Sequence, residues 1–145
     1  HSVPVNWAGT VRVTVQSADL ATRKSVRHLD PYVRMKFSRN RYETMAKYGS
    51  SNPVHFNETF DLDYSAGASS VIDVSVMDKK QIGTDEPIGR GYIDLSQFLP
   101  AQGRSFQTEV RLVRHGESVG VVNVRLQKFP DRTEDTREDS WAWQA

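Results

Sequence analysis

Alternation of apolar and polar residues dominates the chain and predicts β-strands. Successive side chains of a strand point to opposite faces, so a period of two indicates a strand with one buried face. In the first such segment Val11, Val13 and Val15 alternate with polar residues. Eight segments show this pattern: 10–16, 32–37, 41–47, 56–64, 70–78, 88–95, 108–113 and 119–126. Turn signals recur roughly every ten to fifteen residues, which is typical of an all-β sandwich.

Signals for other elements are few. The segment 95–100 predicts one short helical turn that ends at Pro100. No apolar run approaches the ~20 residues that a membrane-spanning helix needs, and no signal-peptide pattern opens the chain. With 145 residues the chain suits one domain. We therefore expect a soluble or peripheral single-domain protein.

The segment 29–37 has two chemically different faces. Val33, Met35 and Phe37 form an apolar face, whereas the opposite face carries an aromatic residue and two cations, namely Tyr32, Arg34 and Lys36. With Asp30 and Pro31 before it, this segment resembles the Asp-Pro-Tyr-Val signature of C2 domains. It is the first of several resemblances to that family.

Three further segments are similar to C2 domains, in the expected order. Residues 51–60 resemble the Asn-Pro-x-aromatic-Asn-Glu-x-Phe strand entry, with one extra residue after the proline; 76–78 resemble the end of a later strand, and 88–91 the Ile-Gly-x-small entry to the next. The resemblance covers about residues 10–128. It implies an eight-stranded antiparallel β-sandwich of the type II arrangement, with the eighth strand at the C-terminus. The predicted domain is 1–130.

The resemblance also implies where calcium ligands would lie. C2 domains that bind calcium use five aspartates from two loops, since calcium takes six to eight oxygen ligands. The corresponding positions here are Lys24, Asp30, Asp78, Lys80 and Glu86, with Asp85 beside the last. At an effective dielectric near 20, charges about 4 Å apart interact by roughly 4 kcal/mol, so each lysine opposes calcium. We predict a calcium-independent domain without cofactor; a weak site built from Asp30, Asp78, Asp85 and Glu86 is the residual alternative.

The two lysines leave the loop tips basic, and two interpretations are open. The cations near these tips are Arg23, Lys24, Arg27, His28, Lys79 and Lys80. Fixed cations can attract lipid phosphates in place of bound calcium. Alternatively, Lys24 and Lys80 form internal ion pairs with Asp30 and Asp78.

A second candidate lipid site lies on the sheet. In C2 domains, basic residues of the third and fourth strands form a patch for phosphoinositide head groups. The corresponding candidates here are Tyr32, Arg34, Lys36, Arg41 and Lys47. Where relatives often carry lysine, this chain has Met45 after Thr44, so the patch is incomplete.

Charge is unevenly distributed along the chain. The net charge is +1, yet residues 131–145 hold five acids and two bases, which leaves a mildly basic body and suggests an anionic partner. The acidic segment ends in Trp141 and Trp143. These tryptophans either fold back onto the sandwich or form a linear motif for a partner protein.

Other functional classes find little support. The chain has no cysteine, which excludes zinc–thiolate sites and thiol nucleophiles and fits a cytoplasmic protein. Nothing resembles a nucleophile elbow, a phosphate-binding glycine loop or a nucleic-acid platform. The sequence therefore predicts a non-enzymatic, peripheral membrane-targeting module for anionic phospholipids or phosphoinositides. A protein-interaction scaffold is the alternative.

Overall fold

The computed structural model describes residues 6–22 and 24–131, which form eight antiparallel strands and two short 3-10 helices. The strands are β1 (Gly9–Leu20), β2 (Pro31–Phe37), β3 (Asn40–Glu43), β4 (Val54–Tyr64), β5 (Val71–Asp78), β6 (Glu86–Asp94), β7 (Ser105–Arg114) and β8 (Glu117–Pro130). The 3-10 helices are Val26–His28 and Leu95–Gln97. No helix in these two ranges has the length and hydropathy of a membrane span.

The strands form two four-stranded halves. The order is β3-β2-β5-β6-β7-β8-β1-β4, and all neighbours are antiparallel. Strands β6 and β7 share only the pair Arg90 and Val113, so the sheet divides at this seam. The C-terminal strand β8 lies between β7 and β1. This is the type II arrangement, and the predicted all-β sandwich is confirmed.

The apolar faces of the two halves share one core. Val33, Ile72 and Val74 from one half and Val13 and Leu126 from the other are almost completely buried in the same cluster. Two aromatic contacts link the halves, Phe37–Tyr64 and Tyr42–Phe60, each with ring centroids 5.9 Å apart. Burial of apolar surface from both sheets is what holds them together.

The predicted strands occur at the expected places; β1 and β8 extend four residues beyond their predicted ends, and the largest shortfall is in β3. The pattern predicts a strand over 41–47, whereas β3 ends at Glu43. The Met45 N–H donates to the Glu58 carboxylate on β4, so it is not available to a ladder with β2. The predicted helical turn is present at Leu95–Gln97. Residues 132–145, with Trp141 and Trp143, lie outside the described residues, so the predicted acidic tail and domain boundary stay predictions.

Three loops and one hairpin turn meet at one end of the sandwich. Loop 1 is residues 21–30, loop 2 is 44–53, loop 3 is 79–85, and the β7–β8 turn is 115–116. Backbone hydrogen bonds tie them together: Lys79 N–H donates to the Asp30 carbonyl, Lys47 N–H to that of Pro31, and Ala21 N–H to that of Val119. Asn52 in loop 2 accepts from the Leu20 N–H and donates to the Leu20 carbonyl. The described loop residues predicted to act on lipid or calcium are thereby brought to one end.

Candidate functional site

Asp78 is the buried centre of the loop end. Only 5% of this residue is exposed, because it ends β5 on the core side, where Ile72, Val74 and Val76 precede it. Its Oδ1 accepts the Asp30 N–H at 2.9 Å, and its Oδ2 accepts the Lys80 ammonium at 3.0 Å. The hydrogen bond with Asp78 raises the pKa of Lys80. An ammonium of this chain therefore neutralises the central carboxylate.

Asp85 is also held by donors of the protein. Its Oδ1 accepts the Lys80 N–H at 2.8 Å and its Oδ2 accepts the Tyr32 O–H at 2.6 Å. The backbone N–H of Lys80 and then the tyrosine hydroxyl lower the pKa of Asp85. Burial and the hydrogen bond to Asp85 raise the pKa of Tyr32 to about 12. Each oxygen of this carboxylate thus accepts a hydrogen bond from within the loop end.

These residues do not fit a calcium ion. Calcium needs six to eight oxygen ligands around one point, yet Asp78 and Asp85 direct their oxygens at protein donors, and an ammonium lies on Asp78. Asp30 is half-buried and Glu86 is exposed. Within 6–22 and 24–131 no three acidic or histidine side chains group in a way that could hold a metal. The side chains around Asp78 therefore favour the internal ion pair with Lys80 over a bound calcium ion.

The two interpretations of the loop lysines, an internal ion pair or an exposed cation, apply to different residues. Lys80 forms the ion pair with Asp78. Lys24 is exposed, and in the described part of the chain it is not within ion-pair distance of Asp30. Arg23 lies outside the described residues. Arg27, His28 and Lys79 are exposed, as the basic-tip interpretation requires.

An exposed apolar residue stands among these cations. Ile82 in loop 3 is 93% exposed, the highest value among the large apolar side chains of the described residues. It lies between Lys79–Lys80 and Asp85 along the loop, at the end that carries Lys24 and Arg27. Burial of such a side chain is favourable by about 1.5–3 kcal/mol, so Ile82 is available for an apolar contact.

The sheet-face candidates are brought together only in part. Arg34 and Arg41 line a shallow cleft of about 410 Å³ with Lys79, and Lys36 is the ladder partner of Arg41. Carboxylates accompany them, since Arg34 donates to Glu43 at 2.7 Å and Lys36 is the ladder partner of Asp73. Lys47 is half-buried in loop 2. The face is mixed in charge and not a purely basic stripe.

Tyr32 differs from the sequence expectation. The alternation places it on the outer, exposed face, but only 5% of the residue is exposed. The Arg34 guanidinium and the Lys79 ammonium lie over its ring, 5.9 and 6.0 Å from the centroid, and its hydroxyl is bonded to Asp85. Long cationic side chains cover an aromatic ring readily. Tyr32 thus links β2 to loop 3 instead of presenting a free aromatic surface.

Two features escape the motif-based prediction, one on the sheet face and one at the loop end. Arg90 on β6 lies in register with Arg34 through Ser75 on β5, and it lines a second cleft with Arg34 and Lys36. Alternation counted back from Ile93 places Arg90 outward, which is a signal in the sequence. The other feature is the β7–β8 hairpin, Arg114–Glu117, which lines a cleft of about 570 Å³ with Lys24 and Lys80. Only the strand order brings that hairpin to loops 1 and 3.

Comparison with known proteins identifies relatives over most of the chain. The family model described as C2 domain matches residues 9–112. Synaptotagmin-1 of Arabidopsis thaliana is 28% identical over 116 residues, which are 77% of this chain and 21% of that protein. Multiple C2 and transmembrane domain-containing protein 1 of Homo sapiens is 29% identical over 105 residues, 72% of this chain and 10% of that protein. The chain thus spans about a fifth or less of these relatives.

Solved structures agree with this assignment. A C2 domain-containing protein superposes with a TM-score of 0.74 at 25% identity, covering 90% of this chain and 96% of that one. A single C2 domain of plant extended synaptotagmin 1 superposes with a TM-score of 0.64 at 28% identity, covering 89% of this chain and 99% of that one. The matched unit in both is therefore one domain of this size.

Proposed function

The chain belongs to the C2 domain family, and on that premise we propose that it is a non-enzymatic module that docks on anionic membranes without calcium. The observation that carries the proposal is the ion pair between Lys80 and the buried Asp78. It supplies internally the positive charge that the carboxylate otherwise takes from a metal ion. Docking then needs no cation from solution.

Exposed cations supply the attraction to lipid. Lys24, Arg27 and Lys79 are exposed at the loop end, with His28 beside Arg27. Each lysine or arginine near an anionic surface contributes about 1 kcal/mol, so these three contribute about 3 kcal/mol. The attraction falls off over about a Debye length, which shortens as salt rises, so binding should be sensitive to salt. We place the module at the cytoplasmic leaflet, because that leaflet carries the anionic lipids.

Ile82 adds an apolar contact to these charges. Transfer of its exposed side chain from water into the acyl boundary contributes about 1.5–3 kcal/mol. Together with the cations this amounts to roughly 5 kcal/mol, a modest affinity. Stable attachment then depends on neighbouring modules, through effective concentration. The loop end, including Ile82, is the surface that faces the bilayer.

The sheet face is the second lipid contact in this proposal. Arg34, Lys36, Arg41 and Arg90 lie on one face, where a phosphoinositide head group offers several phosphates. Their neighbours Glu43 and Asp73 oppose a strongly anionic ligand. We therefore assign this face a smaller share of the binding than the loop end.

Vesicle co-sedimentation tests the proposal. The protein is mixed with neutral vesicles, with phosphatidylserine vesicles and with phosphoinositide vesicles, each with calcium and with chelator. We expect binding to both anionic vesicles, equal in calcium and chelator and lost at high salt. The double variant Lys24→Glu/Arg27→Glu and the single variant Ile82→Ser should each weaken it. The double variant Arg104→Glu/Arg125→Glu, at two exposed arginines outside the loop end, and the single variant Tyr92→Ser on β6 are the matched controls.

Each outcome separates the candidate functions. Binding that requires calcium would contradict the role given to Lys80. Binding lost equally in the loop variants and in the controls would contradict the assignment of the loop end. Absence of binding to every vesicle would refute membrane docking and favour the protein-interaction scaffold, whose predicted Trp141 and Trp143 contact should survive high salt.

A further inference from the structure

Strands β6 and β7 leave a groove between the two halves of the sandwich. They share only the pair Arg90 and Val113. The Gly91 backbone passes so close to β7 that a Cβ on Gly91 would come within 2.3 Å of the Arg111 carbonyl oxygen. From this contact towards Asp94 the described strands form no further ladder pair. A groove of about 500 Å³ lies there, on the side away from the loop end.

Both strands present an unpaired edge to this groove. β6 is paired on its other side with β5, and β7 with β8. In the described part of the chain, 91–94 of β6 have no second ladder partner. An unpaired edge is a template for a further strand, and proteins often protect such an edge by covering it with another segment. An extended segment that joins the edge gains main-chain hydrogen bonds, and the surfaces beside it select its side chains.

The lining of the groove is aromatic and apolar. Tyr92 is 65% exposed and Val113 is 41% exposed, and the half-buried Phe98 also lines the groove. Exposed apolar side chains that share one groove gain free energy when a further apolar side chain covers them. The lining therefore favours an occupant with aromatic side chains.

The charges of the groove are balanced. Arg90 and Arg111 line it and form no ion pair with a described carboxylate. Asp94 and Glu109 line it as well, and Asp94 accepts the N–H and O–H of Ser96. Two carboxylates oppose an anionic occupant, whereas guanidinium groups pack well on the face of a tryptophan ring. An uncharged segment that carries tryptophan fits this set.

The described chain ends beside the groove, and the segment 132–145 follows. Near the end of β8 the Lys128 ammonium donates to the Leu99 carbonyl, and the preceding Phe98 lines the groove. The segment has 14 residues, which span about 46 Å when extended. The ten-residue β7, which borders the groove, is about 33 Å long. The segment is therefore long enough to turn back and reach any part of the groove.

We propose that residues 140–144, which lie outside the described residues, add to the free edge of β6 at 91–94 as an antiparallel strand. Strands β6 and β8 both run away from the loop end, so a segment that turns back after β8 runs opposite to β6. Residues 140–144 are Ser-Trp-Ala-Trp-Gln and carry no charge. Trp141 and Trp143 share one face of a strand, where they cover Tyr92 and the two arginines. The added strand closes an edge that would otherwise pair with another chain.

Tryptophan fluorescence of the full chain tests whether the segment is docked. Trp7 is half-buried elsewhere in the domain, so the variant Trp7→Phe leaves Trp141 and Trp143 as the reporters. We expect their emission at shorter wavelength than in the urea-unfolded chain, with weaker quenching by acrylamide. Tyr92→Ser and Arg111→Glu, each made in the Trp7→Phe protein, should shift the emission towards that of the unfolded chain and strengthen the quenching.

Matched controls change the same residue types outside the groove. Tyr48→Ser in loop 2 and Arg39→Glu in the β2–β3 turn alter an exposed tyrosine and an exposed arginine, and they should leave the emission unchanged. Since the groove variants Tyr92→Ser and Arg111→Glu also change exposed side chains, their urea midpoints should equal those of the controls. Emission that does not change on dilution identifies the contact as one within a single chain.

A synthetic peptide of residues 132–145 tests the groove independently. It is added to the variant Trp141→Ser/Trp143→Ser, and the backbone NMR signals of Tyr92 and Thr108 are followed. A short linker gives an effective concentration of about 1 mM, so a segment docked about tenfold over its free form corresponds to a peptide Kd of about 0.1 mM. The same peptide with serine in place of both tryptophans should cause no shift.

Four results would overturn the inference. They are emission of the full chain equal to that of the unfolded chain, docked emission that Tyr92→Ser and Arg111→Glu do not alter, peptide shifts that map away from 91–94, and docked emission that is lost on dilution. The last result would assign the groove to a second copy of the chain. All four leave membrane docking through the loop end untouched, because Tyr92 and Arg111 lie outside that end.

Discussion

Removal of the Lys80 ammonium should destabilise the fold and make it respond to calcium. In Lys80→Ala, Asp78 loses the donor 3.0 Å from its Oδ2 and keeps only the Asp30 N–H. Exposed ion pairs contribute about 0–1 kcal/mol, and a buried carboxylate left without its partner costs about 3–5 kcal/mol. The Asp78 side chain is 7% exposed while its partner is 31% exposed, so water reaches the carboxylate in part and its loss of a partner should cost about 2 kcal/mol.

Urea unfolding of the wild type, Lys80→Ala and Lys79→Ala measures this loss. Lys79 is the matched control, because it is the adjacent lysine and is exposed. Each protein is unfolded with chelator and with calcium at about 1 mM, the range of weak extracellular modules. We expect calcium to restore part of the stability of Lys80→Ala, because Asp78 then lacks a counter-charge, and to leave the other two proteins unchanged.

Two results would refute this reasoning. If Lys80→Ala is as stable as the wild type within about 0.5 kcal/mol, the ammonium does not neutralise Asp78 in any way that matters to folding. If calcium stabilises the wild type as much as the variant, Lys80 has not replaced the metal ion. The second result would also contradict the calcium-independent docking proposed above.

Three further predictions concern the residues around this end and the core. The pKa of Tyr32 is raised from 10.0 to about 12, so the free energy of unfolding should be constant below pH 10 and fall by about 3 kcal/mol as the pH rises through 12. Urea unfolding measured against pH should show this fall, and the variant Tyr32→Phe should lack it. Lys128 is buried, and its ammonium donates to two loop carbonyls. Lys128→Ala should lower the free energy of unfolding by about 1–3 kcal/mol and Lys128→Met by less, measured from urea midpoints. Gly89→Ala should cost about 1–3 kcal/mol by overpacking against Val119, and Val119→Ala in the same chain should recover part of that loss in a thermal melt.

Alternation was sufficient to predict where the strands of this protein lie, except for the end of β3. Val11, Val13 and Val15 are almost completely buried, as their spacing predicts, because a period of two specifies which face of a strand turns away from water. The motif resemblance supplied the order of these strands, and with it the eight-stranded sandwich. The short β3 was not predictable in this way, because it depends on a bond from Met45 in loop 2 to Glu58 on β4.

The site was predictable as a set of charges and not as an arrangement. The sequence determined that lysines stand at positions 24 and 80, and its resemblance to C2 domains implies that calcium-binding aspartates would occupy these positions. It did not determine that Lys80 bonds Asp78 while Lys24 remains exposed, that Arg34 and Lys79 cover Tyr32, or that the hairpin at Arg114 closes a cleft with loop 1. Ion pairs, burial and clefts depend on distances between residues far apart in the chain, and only packing of the two sheets fixes those distances.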